Sequence, residues 1–496
     1  MINYSNYYNQ NYYKSAYSAE NKNINSVAEN MPVQNEPNNN LKLLNKTNLS
    51  NHINEVPYNP TFSASNLRTQ LASAEEKNKY NTLQNSLDKK TRKDLEALLK
   101  SGVLLNNNSI DKSSVLDNVY KILTIPRADG LDGKIIATDV ITTLNNPFKI
   151  TQQFGDIPQH EQEKAIDSYM SILNRTNKKD TNARKQASRN INVTHSGTCV
   201  AASIEFNLAQ DQPAEFARFA EGLSSKNIAV NKTIHLDKLA DNTLDAVWLL
   251  NAFEVPYKAD NFNTATLTFK PDNNAIVRAS IQTKYKDPGE RSPLDVLMQS
   301  TFMQLGSQQS YNTLSDKRAG KFNQNDKGLI EFEKTFVESV VEDKNKISVT
   351  YQNVDENARL IGYETDMNTM KRHLTSAIDS GENVIIGYTQ TDENNIIING
   401  HEITIVGYKK DNTTGKYTFI CNDTDDDISK PIEYSEDYLL PKIHHAALPQ
   451  AVIKDELKLV ENWIEGMKTY KELKKQAKQK QITNANKSQS TQSVAV

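Results

Sequence analysis

Cysteine is almost absent from the chain, with two residues, Cys199 and Cys421, among 496. That excludes a disulfide framework and, without other ligands, a four-thiolate zinc site, and it permits a reducing compartment. Long hydrophobic runs are missing too. No stretch approaches the roughly 18 consecutive apolar residues that span a bilayer, and MINYSNYYNQNYYKSAYSAEN lacks the apolar core of a secretory signal. A soluble protein without a membrane span is expected, cytoplasmic or secreted by a leaderless route. Neither sign of charge dominates. With 58 Lys and Arg against 61 Asp and Glu, the net charge of -3 supplies no global field for nucleic acid or an anionic membrane. Hydrophobic residues make up 37% of the chain, below the roughly 45–50% of globular chains, a range that counts Gly, and the deficit sits at both ends.

The chain is longer than one domain of about 100–200 residues, so two or three units are expected. Residues 1–75, rich in Asn, Tyr and Ser, have little apolar periodicity and read as disordered. Over 76–185 the three- and four-residue spacing of Leu83, Leu87, Leu95, Leu98 and Leu99, stopped by Gly102, opens a helical region. SSVLDNVYKILTI, KIIATDVITTL and HEQEKAIDSYMSILNRT continue it. TNKKDTNARKQASRN reads as a solvated linker because its basic residues have no interleaved aromatics.

Over 186–450 the pattern is that of an α+β domain. Helices are expected at CVAASIEFNLAQ, AEFARFAEGL, LDAVWLLNAF, SPLDVLMQSTFMQLG (capped by Ser292) and MNTMKRHLTSAIDSG. NVIIGYTQ, NIIINGHEITIVGYKKD and GKYTFICND then read as clustered strands. Within 258–355, ATLTF, AIVRASI and KISVTYQNV read as strands. Residues 451–496 read as an amphipathic helix and a polar tail.

Chemistry concentrates in three places. In THSGTCVAAS, Cys199 falls at the first turn of a helix, where unpaired N–H groups and the dipole favour a thiolate. In NGHEITIVGY, His401 opens a strand, with Ile403 and Ile405 on its face and Glu402, Thr404 and Val406 on the other. KYTFICND follows through the hairpin KKDNTTGK, which returns Asn422 and Asp423 to His401, and alternation lets only one of them face the imidazole.

A cysteine at a helix start, a distant Gly-His opening a strand and a following strand ending in Asn resemble the papain-like cysteine peptidases. The family pattern CGSCWAFA is matched by Ser196-Gly197-Thr198-Cys199-Val200-Ala201-Ala202-Ser203, and GHAVxxVGY by Gly400-His401-Glu402-Ile403-Thr404-Ile405-Val406-Gly407-Tyr408. YxxxKNSWG is matched from Tyr417 to Asn422 and abandoned at Asp423-Thr424. The resemblance implies a helix carrying the cysteine packed on an antiparallel sheet carrying His and Asn or Asp. It implies Cys199 as nucleophile, His401 as general base and acid, and Asn422, or Asp423 as in related bacterial patterns, as the residue orienting the imidazole. The family's oxyanion glutamine would fall at Val193, leaving Asn192, Thr194 or His195 to supply that donor, with Asn192 the best amide substitute. The 202 residues between Cys199 and His401 imply an insertion over about 258–355 that shapes substrate access, and 76–185 takes the place of a propeptide.

The activity so implied is peptide hydrolysis through an acyl-enzyme, with a peptide or protein substrate and no metal or cofactor. Transglutaminase-like acyl transfer shares the Cys, His, Asp order, and a non-catalytic binding module would keep the fold without the chemistry. Other signals are weaker. The acidic run at Asp423, Asp425, Asp426 and Asp427 lacks EF-hand spacing, with Ile428 and Tyr434 at the Gly and Glu positions. ADGLDG is a turn, and Cys421 is expected in a core. His444 and His445, adjacent on a strand, would diverge, which argues against a metal site.

Overall fold

The computed structural model describes residues 53–55, 67–153, 157, 159–172, 180–191, 196–285, 290–318, 328–355, 357–425 and 429–453, with 456 and 459. Helices start where short polar side chains can cap them. Ser73 and Glu76 form a capping box on Ala74–Ser86, Asp88 caps Lys89–Ser101, and Ser114 with Asp117 boxes Val115–Thr124. Gly102 ends the second helix in the left-handed conformation, φ 81°, as its position after Lys100 predicts.

The strands, in chain order, are β1 (Ile53–Glu55), β2 (Val230–His235), β3 (Tyr257–Ala259), β4 (Thr264–Phe269), β5 (Lys346–Thr350), β6 (Gln352–Val354) and β7 (Leu360–Tyr363). They continue with β8 (Val384–Thr391), β9 (Ile397–Asp411), β10 (Tyr417–Asn422), β11 (Ile432–Ser435) and β12 (Ile443–Pro449). An antiparallel sheet runs β11-β10-β9-β8-β12-β5, and β1 pairs with the far end of β9. One face carries Ile385, Val406 and Ile420 into a large helical core that also holds Phe148, Phe216, Phe302 and Phe336. The opposite face carries Ile403, Ile405, Phe419 and Cys421 against Met370, Leu374 and Ala377 of helix Met367–Asp379. The fold is therefore α+β, with helices on both faces of an antiparallel sheet.

Several expectations change. AIVRASI lies in a helix, Ala275–Tyr285, with Ala275 and residues 278–282 buried, and its packing against helix Pro293–Gly306 outweighs its β-branched composition. The basic stretch read as a linker contains helix Thr181–Ile191, which buries Ala183, Ala187 and Ile191 on one stripe. Residues 258–355, expected as an insertion, include a helix of the central packing. All 14 residues of helix Pro293–Gly306 are buried, so this helix is part of the central packing. Nor does the packing break at 185, because the cluster that begins at Leu83 is continuous with Phe206 and Leu297. The buried Arg127 reinforces that junction, donating to the Glu221 carbonyl and carboxylate, each at 3.1 Å. At the ends, most of the region 1–75, expected to be disordered, and most of the helix and tail expected over 451–496 lie outside the described residues. Within them, β1 is a strand and a helix begins at Ala74. Among the described residues no helix is long and apolar enough to cross a membrane.

Candidate active site

Cys199 is the first residue of helix Cys199–Asp211, in which residues 200–210 are all buried. The approach is fixed by polar contacts: the Gly197 N–H donates to Asp316 Oδ2 at 2.7 Å and Thr198 Oγ1 donates to the buried Gln299 Oε1 at 2.8 Å. Gln299 is held in turn, its Nε2 donating to the Thr151 carbonyl at 2.9 Å and to Glu205 Oε2 at 3.1 Å. With its hydroxyl turned to Gln299, Thr198 occupies the N-cap position without capping, so the first-turn N–H groups receive no side-chain cap beside a partly exposed thiol.

His401 lies in β9 opposite Tyr388 of β8. The hairpin from Asp411 to Tyr417 turns through Gly415, φ 70°, whose N–H donates to the Asp411 carbonyl at 2.7 Å, and so returns β10 along β9. His401 Nε2 donates to Asp423 Oδ1 at 2.7 Å, and the Asp425 N–H also donates to that oxygen at 3.0 Å. The Cys199 side chain lies close enough to the imidazole to act on its protonation, together with Asp423. Three residues far apart in sequence are thus joined in the order Cys199, His401, Asp423.

Asn422 is not in that line. Its side chain is buried, and its Nδ2 makes no hydrogen bond among the described residues. Consecutive residues leaving a strand point to opposite sides, and the orienting role falls to Asp423. Asn192 and His195, the expected oxyanion donors, lie outside the described residues, as do Val193 and Thr194. Among the residues named for that role, the described donor is the Cys199 N–H.

Burial works to lower the His401 pKa, but the hydrogen bonds and charges of Asp423 and Cys199 outweigh it and raise the value well above the ordinary imidazole range. For Asp423, burial works upward, and the His401 hydrogen bond and charge reverse it, leaving the carboxyl below its usual value. The His401 contribution to stability is therefore complete below an ordinary histidine pKa, about 6.5, and is lost as pH rises through the raised value. That of Asp423 is present above about 3.9 and is lost as pH falls through the depressed value. Asp423→Asn keeps a hydrogen-bond acceptor and removes the charge. It is expected to lower the His401 inflection by about 1 unit or more, read by NMR titration of the ring, and to shift the alkaline limb of the activity profile down with it. An unchanged His401 inflection would show that Asp423 does not act on the ring.

A cavity of about 90 Å³ is lined by Cys199, His401 and Tyr388, by the backbone segment 328–330, and by four residues that sequence reasoning did not assign to the site, Glu331, Glu402, His444 and His445. The two histidines do not diverge. Pairing of β12 with β8 slips between Ile443 and His445, and this bulge brings their Nδ1 atoms within 3.0 Å of each other. The doublet HH was the available signal, and strict alternation concealed it. Glu402 lies within 3.1 Å of His445 Nε2 and pairs at 3.1 Å with Lys334 Nζ, whose side chain is fully buried. Burial favours the neutral form of Glu402, but Lys334 and His445 overcome it and pull the carboxyl down to about 2. Lys334→Met strands that charge and is expected to cost about 3–5 kcal/mol in chemical denaturation, with Lys334→Met/Glu402→Gln recovering most of the loss. A single variant as stable as the parent would contradict this reading.

The chain matches no family model, no curated protein and no solved structure. Fold and site together define a class only, an α+β protein with a Cys-His-Asp line at a helix start.

Proposed function

We propose that the chain is a papain-like cysteine peptidase, hydrolysing peptide bonds through Cys199, His401 and Asp423. The observation that carries the reading is the line from Asp423 Oδ1 through His401 to a partly exposed thiol at a helix N-terminus. His401, held as imidazolium by Asp423, stabilises the Cys199 thiolate. The thiolate attacks the scissile carbonyl, and the tetrahedral oxyanion takes hydrogen bonds from N–H groups at the helix start, including that of Cys199. His401 then protonates the leaving amine as the C–N bond breaks. A water molecule, deprotonated by His401, attacks the thioester, the C–S bond breaks, and acid product and thiolate are released.

Asp423 in place of an asparagine also favours a second reading, acyl transfer, in which an amine rather than water takes the acyl group. One assay addresses both: a peptide library is digested by the parent, Cys199→Ala and His401→Ala proteins, with and without a labelled primary amine. Cleavage lost in both variants supports the peptidase. Amine incorporation into glutamine without cleavage supports the transferase. Neither product from the parent would make the chain a non-catalytic module.

A further inference from the structure

The side chains of Glu331, His444 and His445 meet through one atom each. Glu331 Oε1 lies 2.9 Å from His444 Nδ1 and 3.6 Å from His445 Nδ1, and the two nitrogens are 3.0 Å apart. These are electron-pair donors of the types zinc takes, and one atom from each lies within 4.8 Å of the others. Around a tetrahedral zinc ion with bonds of about 2.0–2.1 Å, two ligand atoms stand about 3.3 Å apart, close to the mean of these separations. A point about 2.05 Å from all three atoms lies only about 0.9 Å out of their plane, so an ion fits on this tripod with little movement of the side chains.

We propose that Glu331, His444 and His445 form a zinc-binding site in the cavity that Cys199 and His401 also line. The proposal is independent of the peptidase reading, since it requires nothing of the thiol.

Three features beyond the tripod fit a ligand site. His445 presents its second ring nitrogen to Glu402 Oε1 at 3.1 Å, and Lys334 holds the other oxygen of that carboxylate at 3.1 Å. The His445 contact is an ion pair, since Nε2 makes no well-aligned hydrogen bond among the described residues, and the carboxylate charge beside it favours a proton on that nitrogen and leaves Nδ1 as donor. The strand β8 makes room for the ring at Gly387, where a Cβ would come within 2.1 Å of His445 Cε1 and 2.5 Å of Nδ1. The bulge in β12 supplies the remaining condition by bringing two successive histidines to one side. Glu331, His444 and His445 all line the cavity, as an ion open to exchangeable ligands requires.

Gly387 and Glu402, which flank the His445 ring, are register partners on β8 and β9, next to the partners Tyr388 and His401, so the surroundings of His445 adjoin His401 along these strands.

The test is titration of untagged full-length protein, stripped with a chelator, using zinc in calorimetry and cobalt(II) in visible absorption. The expected result is one ion per chain and the intense visible bands of low-coordinate cobalt. Cys199→Ala should bind as the parent does, because the thiol is not a ligand. Glu331→Gln and His445→Ala should weaken binding by at least about 100-fold, and Glu402→Gln by about 10- to 100-fold through the unsupported His445. Circular dichroism selects the variants that keep the native spectrum, and Glu402→Gln, which removes no ligand, serves if a ligand variant does not fold. No binding by the parent would overturn the proposal, as would binding lost in Cys199→Ala or unchanged in the folded Glu331, His445 and Glu402 variants.

Discussion

Cys199→Ala is expected to abolish peptide hydrolysis, with kcat/KM falling by at least about 10⁴-fold while the far-ultraviolet circular dichroism spectrum stays that of the parent. The two readouts separate because of where the residue sits. Residues 200–210 carry the helix into the core, whereas Cys199 is only partly buried at its first turn. Losing one sulfur there costs little packing, on the order of 1 kcal/mol. The acyl-enzyme, by contrast, has no other nucleophile. Of the two cysteines, Cys421 is fully buried on the other face of the sheet, and its burial pushes the thiol pKa well above the ordinary value. Residual turnover in the variant comes only from substrate positioning and oxyanion donors, which in comparable sites keep about 10³–10⁴-fold over water. Parent-like cleavage by Cys199→Ala would remove the residue from the mechanism.

The second large effect is expected from His401→Ala, a loss of about 10²–10⁴-fold in kcat, since the same ring stabilises the thiolate, protonates the leaving amine and activates water. Without the imidazole the Cys199 thiol loses its proposed base, so its alkylation at neutral pH slows. Asp423 also loses its counter-charge, and its carboxyl rises from the depressed value that His401 sustains. The variant therefore loses stability in the range where Asp423 is ionised, above its folded pKa, and regains parent-like stability as acid neutralises the carboxylate. Combined with Cys199→Ala it adds little further loss in rate, because residues acting as a unit are not additive. Free imidazole restoring part of the rate would tie the defect to the missing base. Equal rates in parent and variant would refute the assignment.

How much of this was legible in the chain varies from residue to residue. Cys199 and the pair Asn422–Asp423 stand out because each sits at an element boundary with its own local signal, a small-residue helix entry and a hairpin return, whereas Gly400-His401, read as a strand start, lies inside β9, which begins at Ile397. Choosing between Asn422 and Asp423 needed the side-chain geometry beyond the end of β10, since alternation says only that one of them faces the ring. The buried second cluster was hidden for a different reason. His444 and His445 diverge on a regular strand, and a one-residue bulge, which no local composition announces, reverses that. Glu331 and Lys334 are distant in sequence from both strands, so their meeting with His445 and Glu402 is a product of tertiary packing. Helix Ala275–Tyr285 was misread because Ile276, Val277 and Ile281 mimic strand composition, while its packing against helix Pro293–Gly306 is a tertiary contact that composition does not announce. Helix Pro293–Gly306 announced itself through Ser292 and Pro293, but not its depth, because a helix buried on all sides has no amphipathic stripe to read.

The central claim is that His401 and Asp423 make Cys199 a nucleophile. Its most direct test is the rate at which a peptidyl epoxide alkylates the native protein at neutral pH, with peptide mapping by mass spectrometry to locate the adduct. The expected result is one adduct per chain on Cys199, formed much faster than on free cysteine and slowed to the rate of free cysteine by His401→Ala. Alkylation of native Cys199 no faster than free cysteine would contradict the account.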